Sequence, residues 1–102
     1  MRELLWTETA RNDLRNIYAY IGVNSVHYAD KFCDGLIEKV DNLTLFPNIG
    51  RMVPEIGDKN VREIFYHSYR IIYKIIDEFI YVLQISHMSM EFRLNEKNND
   101  ND

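Results

Sequence analysis

At 102 residues, the chain is long enough for one compact domain and too short for two. Its composition, 46% hydrophobic and 27% charged, is that of an ordinary globular protein, and no run of about 18 apolar residues exists to span a membrane as a helix. A net charge of -4 argues against a protein whose affinity comes from neutralising phosphates, so any nucleic-acid contact must rest on a local patch.

The opening stretch, MRELLWTETARNDLR, turns charged too early for a signal peptide. Cys33 stands alone, which excludes an intrachain disulfide and a cysteine-based zinc site. A reducing cytoplasm is the expected location, with no cofactor.

Residues 1–6 form a candidate short strand. Thr7 or Thr9 can cap the helix that follows, and Glu8 sits near the positive end of its dipole. Ala10, Leu14, Ile17, Tyr18 and Ile21 recur at the spacing of one helical face, with Arg11, Asn12, Arg15 and Asn16 opposite. Gly22 and Asn24 are stop signals. A second helix begins near Ser25 and carries Ala29, Phe32, Cys33, Leu36, Val40 and Leu43 on one side until Pro47 ends it. The short connection predicts an antiparallel helical hairpin.

Residues 47–60, PNIGRMVPEIGDKN, hold both prolines and two of the four glycines and read as a loop. The period then changes. Residues 61–66, 69–76 and 79–86 are rich in Ile, Val, Phe and Tyr, joined by His67-Ser68 and Asp77-Glu78. Neither junction has the glycine that two-residue hairpins favour. The expected fold is α+β: a strand, a helical hairpin, then a three-stranded antiparallel meander, with the helices on one sheet face and nothing in the chain to cover the other. The domain is expected to span 1–93, with 94–102 as a polar, disordered tail.

In this order, WTETARNDLRNIYAYI (6–21), FPNIGRMVPEI (46–56), VREIFYHSYRIIYKI (61–75) and ISHMSMEF (85–92) resemble the RelE/ParE-type toxins of bacterial toxin–antitoxin modules. The match runs from about residue 4 to 92. The helix opening and the HMSME ending look more like the ParE branch. That resemblance implies a plasmid-stabilisation toxin that inhibits DNA gyrase by binding and is neutralised by a cognate antitoxin, contacting operator DNA only through that antitoxin. The alternative is a RelE-like, ribosome-dependent mRNA interferase, and a further one is an inactive homologue that serves only as a protein-binding module.

For the nuclease alternative, the resemblance points to Arg70 at the scissile phosphate, His87 as general acid, Glu55 as general base and Arg62 as a supporting cation. The usual C-terminal tyrosine is missing between Met88 and Phe92, which counts against it. For docking of a target or antitoxin, the candidates are Arg11, Arg15, Arg62, Arg70, Lys74 and Tyr73. Each has a plainer reading. Strand cations commonly pair with a neighbouring carboxylate, His87 falls in phase with the core positions Leu83 and Ile85, and Glu55 lies in a solvated loop. Arg62 and Glu63 must face opposite sides of their strand, so one of them joins Arg70 and Lys74. Tyr66, Tyr69, Tyr73, Phe79 and Tyr81 can stack bases, but cross-strand packing or burial by an antitoxin accounts for them at least as well. His27 and His67 have no spaced partners, so no metal site is expected.

Overall fold

The computed structural model describes residues 2–89, so the expected tail lies outside the described residues. The order of elements is β1 (Glu3–Trp6), α1 (Glu8–Gly22), α2 (Val26–Asp41), a 3-10 turn (Asn42–Thr44), β2 (Arg51–Met52), β3 (Val61–Tyr66), β4 (Tyr69–Ile76) and β5 (Phe79–His87). The expected α+β plan stands, with one addition. The segment read entirely as loop contains the two-residue strand β2, paired antiparallel with β3.

The five strands are ordered β1-β5-β4-β3-β2. β1 runs parallel to β5, with the helical hairpin as the crossover. Thr7 caps α1: its hydroxyl oxygen accepts from the Ala10 N–H at 3.2 Å and donates to the Val82 carbonyl at 2.8 Å. One side chain thus starts the helix and ties it to β5. Ser25 caps α2 by accepting from the Tyr28 N–H. Tyr18 sits at the boundary of the α1 apolar face and donates to Asp30 at 2.7 Å, joining the two helices.

Both hairpin turns place their first residue in the left-handed region, His67 at φ 52° and Asp77 at φ 53°. These are among the few non-glycine residues that tolerate it, which is how the turns form without glycine.

The helix pair covers one sheet face. Ala10, Ile17, Phe32, Cys33, Leu36, Val40 and Leu43 pack there on Ile64, Ile71, Tyr73, Ile80, Val82 and Ile85. The second face is not bare, which corrects the expectation. The chain between β2 and β3 folds over it and buries Val53 on Val61 and Ile72, with Ile56 and Leu83 beside them. Val53 and Ile56 flank Pro54, and their spacing lets one turn of loop present both to the sheet.

A bulge in β5 explains a second difference. Ile72 pairs with Gln84 but Tyr73 pairs with Val82, so Leu83 is the extra residue. Leu83 therefore packs on the loop-covered face, whereas Ile85 is in the helix-side core. His87 is in phase with Ile85 but not with Leu83. Strict alternation from Leu83 was the wrong ruler because the bulge resets it.

Among the described residues, no helix is long and apolar enough to cross a membrane.

Candidate functional site

The strand cations meet carboxylates of the same chain. Glu63 on β3 is opposite Arg51 on β2 and Ile72 on β4, and its side chain is 0% exposed. Arg51 Nε donates to Glu63 Oε2 at 2.6 Å. Arg70 Nε lies 3.1 Å from Glu63 Oε1, an ion pair whose geometry falls short of a hydrogen bond. Arg70 also donates from Nη2 to Glu55 Oε2 at 3.1 Å. Two arginines and two glutamates thus form a neutral row on the loop-covered face. Of the R-E pair at the start of β3, Glu63 is the one that joins Arg70.

The physical reason is desolvation. A carboxylate sealed under a loop is tolerated only with its charge compensated, and a guanidinium supplies both charge and directed N–H groups. The Arg70 side chain is 15% exposed, so its positive charge is largely spent inside the fold.

Arg62 points to the opposite face. Its Nη1 donates to the Gly50 carbonyl at 2.7 Å, while Nε is buried without a hydrogen-bond partner. Beside it, the Tyr73 hydroxyl donates to the Pro47 carbonyl at 2.7 Å and accepts from the Gly50 N–H at 3.0 Å. Gly50 is required: a Cβ there would come within 2.7 Å of both the Glu63 carbonyl oxygen and the Tyr73 hydroxyl. Burial raises the Tyr73 pKa above the ordinary tyrosine value, with the Gly50 N–H and Arg62 pulling the other way. Tyr73 was a candidate contact for a partner, and the structure corrects this. It is 0% exposed and acts as a buried peg for the 47–50 turn.

His87 packs at 5.3 Å from the Tyr69 ring, edge to face, on the helix side of β5. Its Nδ1 lies 3.1 Å from the Ser89 N–H and 2.7 Å from the Ser89 hydroxyl oxygen, within hydrogen-bonding distance of both. Arg11 turns back to the Trp6 carbonyl and Arg15 pairs with Asn12 on the exposed face of α1. Lys74 stands on the loop-side face of β4, between Val61 and Tyr81.

Of the four nuclease candidates, the fold brings only Glu55 and Arg70 together. Arg62 lies on the other side of the sheet, and so does His87. The aromatic series divides as well. Tyr66, Tyr69 and Tyr73 pack on the helix side. The pairing of Ile76 with Phe79 and of Lys74 with Tyr81 puts Phe79 and Tyr81 on the other face. No continuous stacking platform results. Among the described residues, no group of three His, Cys, Asp or Glu side chains is placed to hold a metal ion.

Two features escaped the sequence reading. One is Arg51, which lay in an apparent loop and became the second cation on Glu63. The other is a groove of about 820 Å3 between α2 and β3, floored by Leu43, Ile64 and Tyr66 and edged by Ile49. Gly35 on α2 makes room there for the Tyr66 ring, whose hydroxyl donates to the Phe32 carbonyl at 3.0 Å. Ile49, an exposed apolar residue within FPNIGRM, was the available signal for that surface.

Comparison with known proteins places this geometry. Residues 4–92 match the family model described as the ParE toxin of the type II toxin–antitoxin system parDE. Among solved structures, a chain from the chromosomal ParDE toxin–antitoxin system of P. aeruginosa superposes with a TM-score of 0.72 at 26% identity, covering 85% of this chain and 96% of that one. A chain of the RelBE2 toxin–antitoxin complex of Mycobacterium tuberculosis shares the fold, with a TM-score of 0.60 at 20% identity over 84% of this chain and 90% of that one. No curated protein matches the chain.

Proposed function

The chain belongs to the ParE toxin family of type II toxin–antitoxin systems, and from that premise we propose that it inhibits DNA gyrase by binding, without catalysis, and is neutralised by a cognate antitoxin. The observation that carries the non-catalytic reading is the state of Arg70. A guanidinium that must stabilise a phosphorane has to offer free N–H groups at the moment of reaction. Here it faces Glu63 and Glu55 instead. His87 and Arg62, its proposed co-workers, are on the far side of a sheet layer. A binding surface needs no such convergence, and this fold leaves several apolar patches at its rim. They include Tyr20 and Val23 at the hairpin tip and Phe46 and Ile49 beside β2.

Purified protein added to a DNA gyrase supercoiling reaction is expected to stop it, and prior addition of the antitoxin is expected to restore it. In parallel, a ribosome-dependent transcript-cleavage assay is expected to show no cut. Cleavage lost in Arg70→Ala would reverse the assignment in favour of an mRNA interferase. Inactivity in both assays, with harmless expression in a bacterial host, would leave only an antitoxin-binding homologue.

A further inference from the structure

A second cavity, of about 710 Å3, opens where the tip of the helical hairpin meets the β3–β4 turn and the end of β5. That size lies within the range of ligand sites. Its floor is aromatic. Phe32 on α2 stands at the centre, with the ring centroids of Tyr28, His67 and Tyr69 at 6.0, 5.2 and 5.8 Å from its own. The His87 ring lies 5.3 Å beyond Tyr69. Tyr20, near the end of α1, forms the outer wall. It is 76% exposed, yet close enough to Tyr69 that its hydroxyl adds to the burial that raises the Tyr69 pKa.

The charge of the lining decides the occupant. Among the described residues, none of those lining the cavity is Lys or Arg, whereas Asp13 lines it with a carboxylate that accepts from the Ile85 N–H at 2.9 Å. A phosphate or carboxylate ligand would meet this acidic wall with no cation to offset its desolvation. A wholly apolar segment would shut Asp13 and Asn16 away from water. A cation suits both parts of the lining. Ring faces attract it through their quadrupole, and the carboxylate adds charge of the opposite sign. A guanidinium suits them better than an ammonium, because it is planar, weakly hydrated and stacks on a ring while its edge donates.

We propose that this cavity receives an arginine side chain from the DNA-handling surface of gyrase. This rests on the reading of the chain as a gyrase inhibitor. An enzyme that holds DNA presents cationic side chains to the phosphates. A chain with a net charge of -4 is matched to such a surface and not to the DNA itself. The cavity exceeds the bulk of one side chain, so it also admits part of the backbone that carries the arginine. Val23, 82% exposed on the hairpin tip beyond Tyr20, offers that backbone an apolar rim.

The test uses the full chain against purified gyrase, read as the concentration that halves supercoiling. Tyr20 and Asn16 are exposed on α1, so the fold tolerates substitution there, and unchanged thermal midpoints would verify it. Tyr20→Leu keeps apolar bulk but removes the ring face, and about tenfold more of this variant should be needed. Tyr20→Phe, which keeps the face, should lose clearly less. Asn16→Lys sets a competing cation at the wall and should weaken inhibition by about tenfold or more, whereas the uncharged Asn16→Gln should lose less. Inhibition undiminished in both Tyr20→Leu and Asn16→Lys would overturn the inference and leave the gyrase reading standing. The same result with weakened antitoxin binding would overturn it in favour of the antitoxin as occupant. Wild-type protein without effect on gyrase would remove the gyrase reading, and this inference with it.

Discussion

The two faces of the sheet solve the same problem with different materials. Two amphipathic helices cover one face, and its interior is mostly apolar, its polar groups including the Tyr73 hydroxyl, which is bonded twice, and the Arg62 guanidinium beside it. A single loop covers the other. It delivers Val53 and Ile56, and beside them the same face carries the Arg51–Glu63–Arg70–Glu55 row. The difference follows from supply. A helix of four turns presents an apolar stripe along its whole length, whereas a proline-containing loop presents one or two side chains before it must leave. Where apolar cover runs short, paired charges close the layer.

The largest effect should come from emptying the helix-covered face. Leu36→Ala removes a fully buried side chain between α2 and the sheet and is expected to cost about 2–5 kcal/mol in denaturant-induced unfolding. If the two faces contributed equally, Val53→Ala would match it, but the smaller core should make that loss clearly less.

Arg70→Ala comes next, at about 2 kcal/mol. It leaves the buried Glu63 carboxylate with Arg51 alone, and Arg51 is anchored at the solvent edge. Arg51→Ala should cost less, about 1 kcal/mol: its side chain is 65% exposed, yet it supplies the hydrogen bond to the buried Glu63 carboxylate. Similar losses for both arginines would show that the row is stabilised by its total charge and not by the buried contact to Arg70.

Tyr73→Phe should cost about 1–2 kcal/mol by orphaning the Pro47 carbonyl and the Gly50 N–H. It should also loosen the 47–50 turn, seen as faster hydrogen exchange at Gly50.

The smallest effect is one of pH. Burial raises the pKa of Tyr73, and also of Tyr66 and Tyr69, above that of an unfolded tyrosine, near 10. The unfolded chain therefore loses these protons first as pH rises. The contribution is fully present below about pH 10 and is lost progressively above it. Denaturation midpoints from pH 9 to 11 should fall, and less steeply in Tyr73→Phe.

Much of this could be read before the fold was seen. The helical register from Ala10 to Ile21, the cap at Thr7 and the start of the second helix near Ser25 are local matters of spacing and hydrogen bonding, and all three appear as expected. So do β3 and β4, whose β-branched and aromatic runs end at residues able to adopt positive φ. What misled was distance along the chain. Arg51 and Glu63 are 12 residues apart, and Gly50 and Tyr73 are 23 apart. No periodicity links such pairs, so Tyr73 looked available and Arg51 looked idle. The bulge at Leu83 was invisible for a related reason: it is a property of how β5 pairs with β4, not of β5 alone.

The sequence by itself determined the elements other than β2, their order and the class of fold, because these follow from side-chain period, caps and turn residues within a few positions of one another. The resemblance of its four segments to the toxin family was legible at that level too. Only the tertiary structure decided which charges are free to act. It placed Glu63 under the loop between Arg51 and Arg70, sent Arg62 and His87 to the opposite face, and drew Tyr20, Phe32 and Tyr69 around one cavity. Register and sheet order settle those outcomes, and they bring together residues that one-dimensional spacing keeps apart.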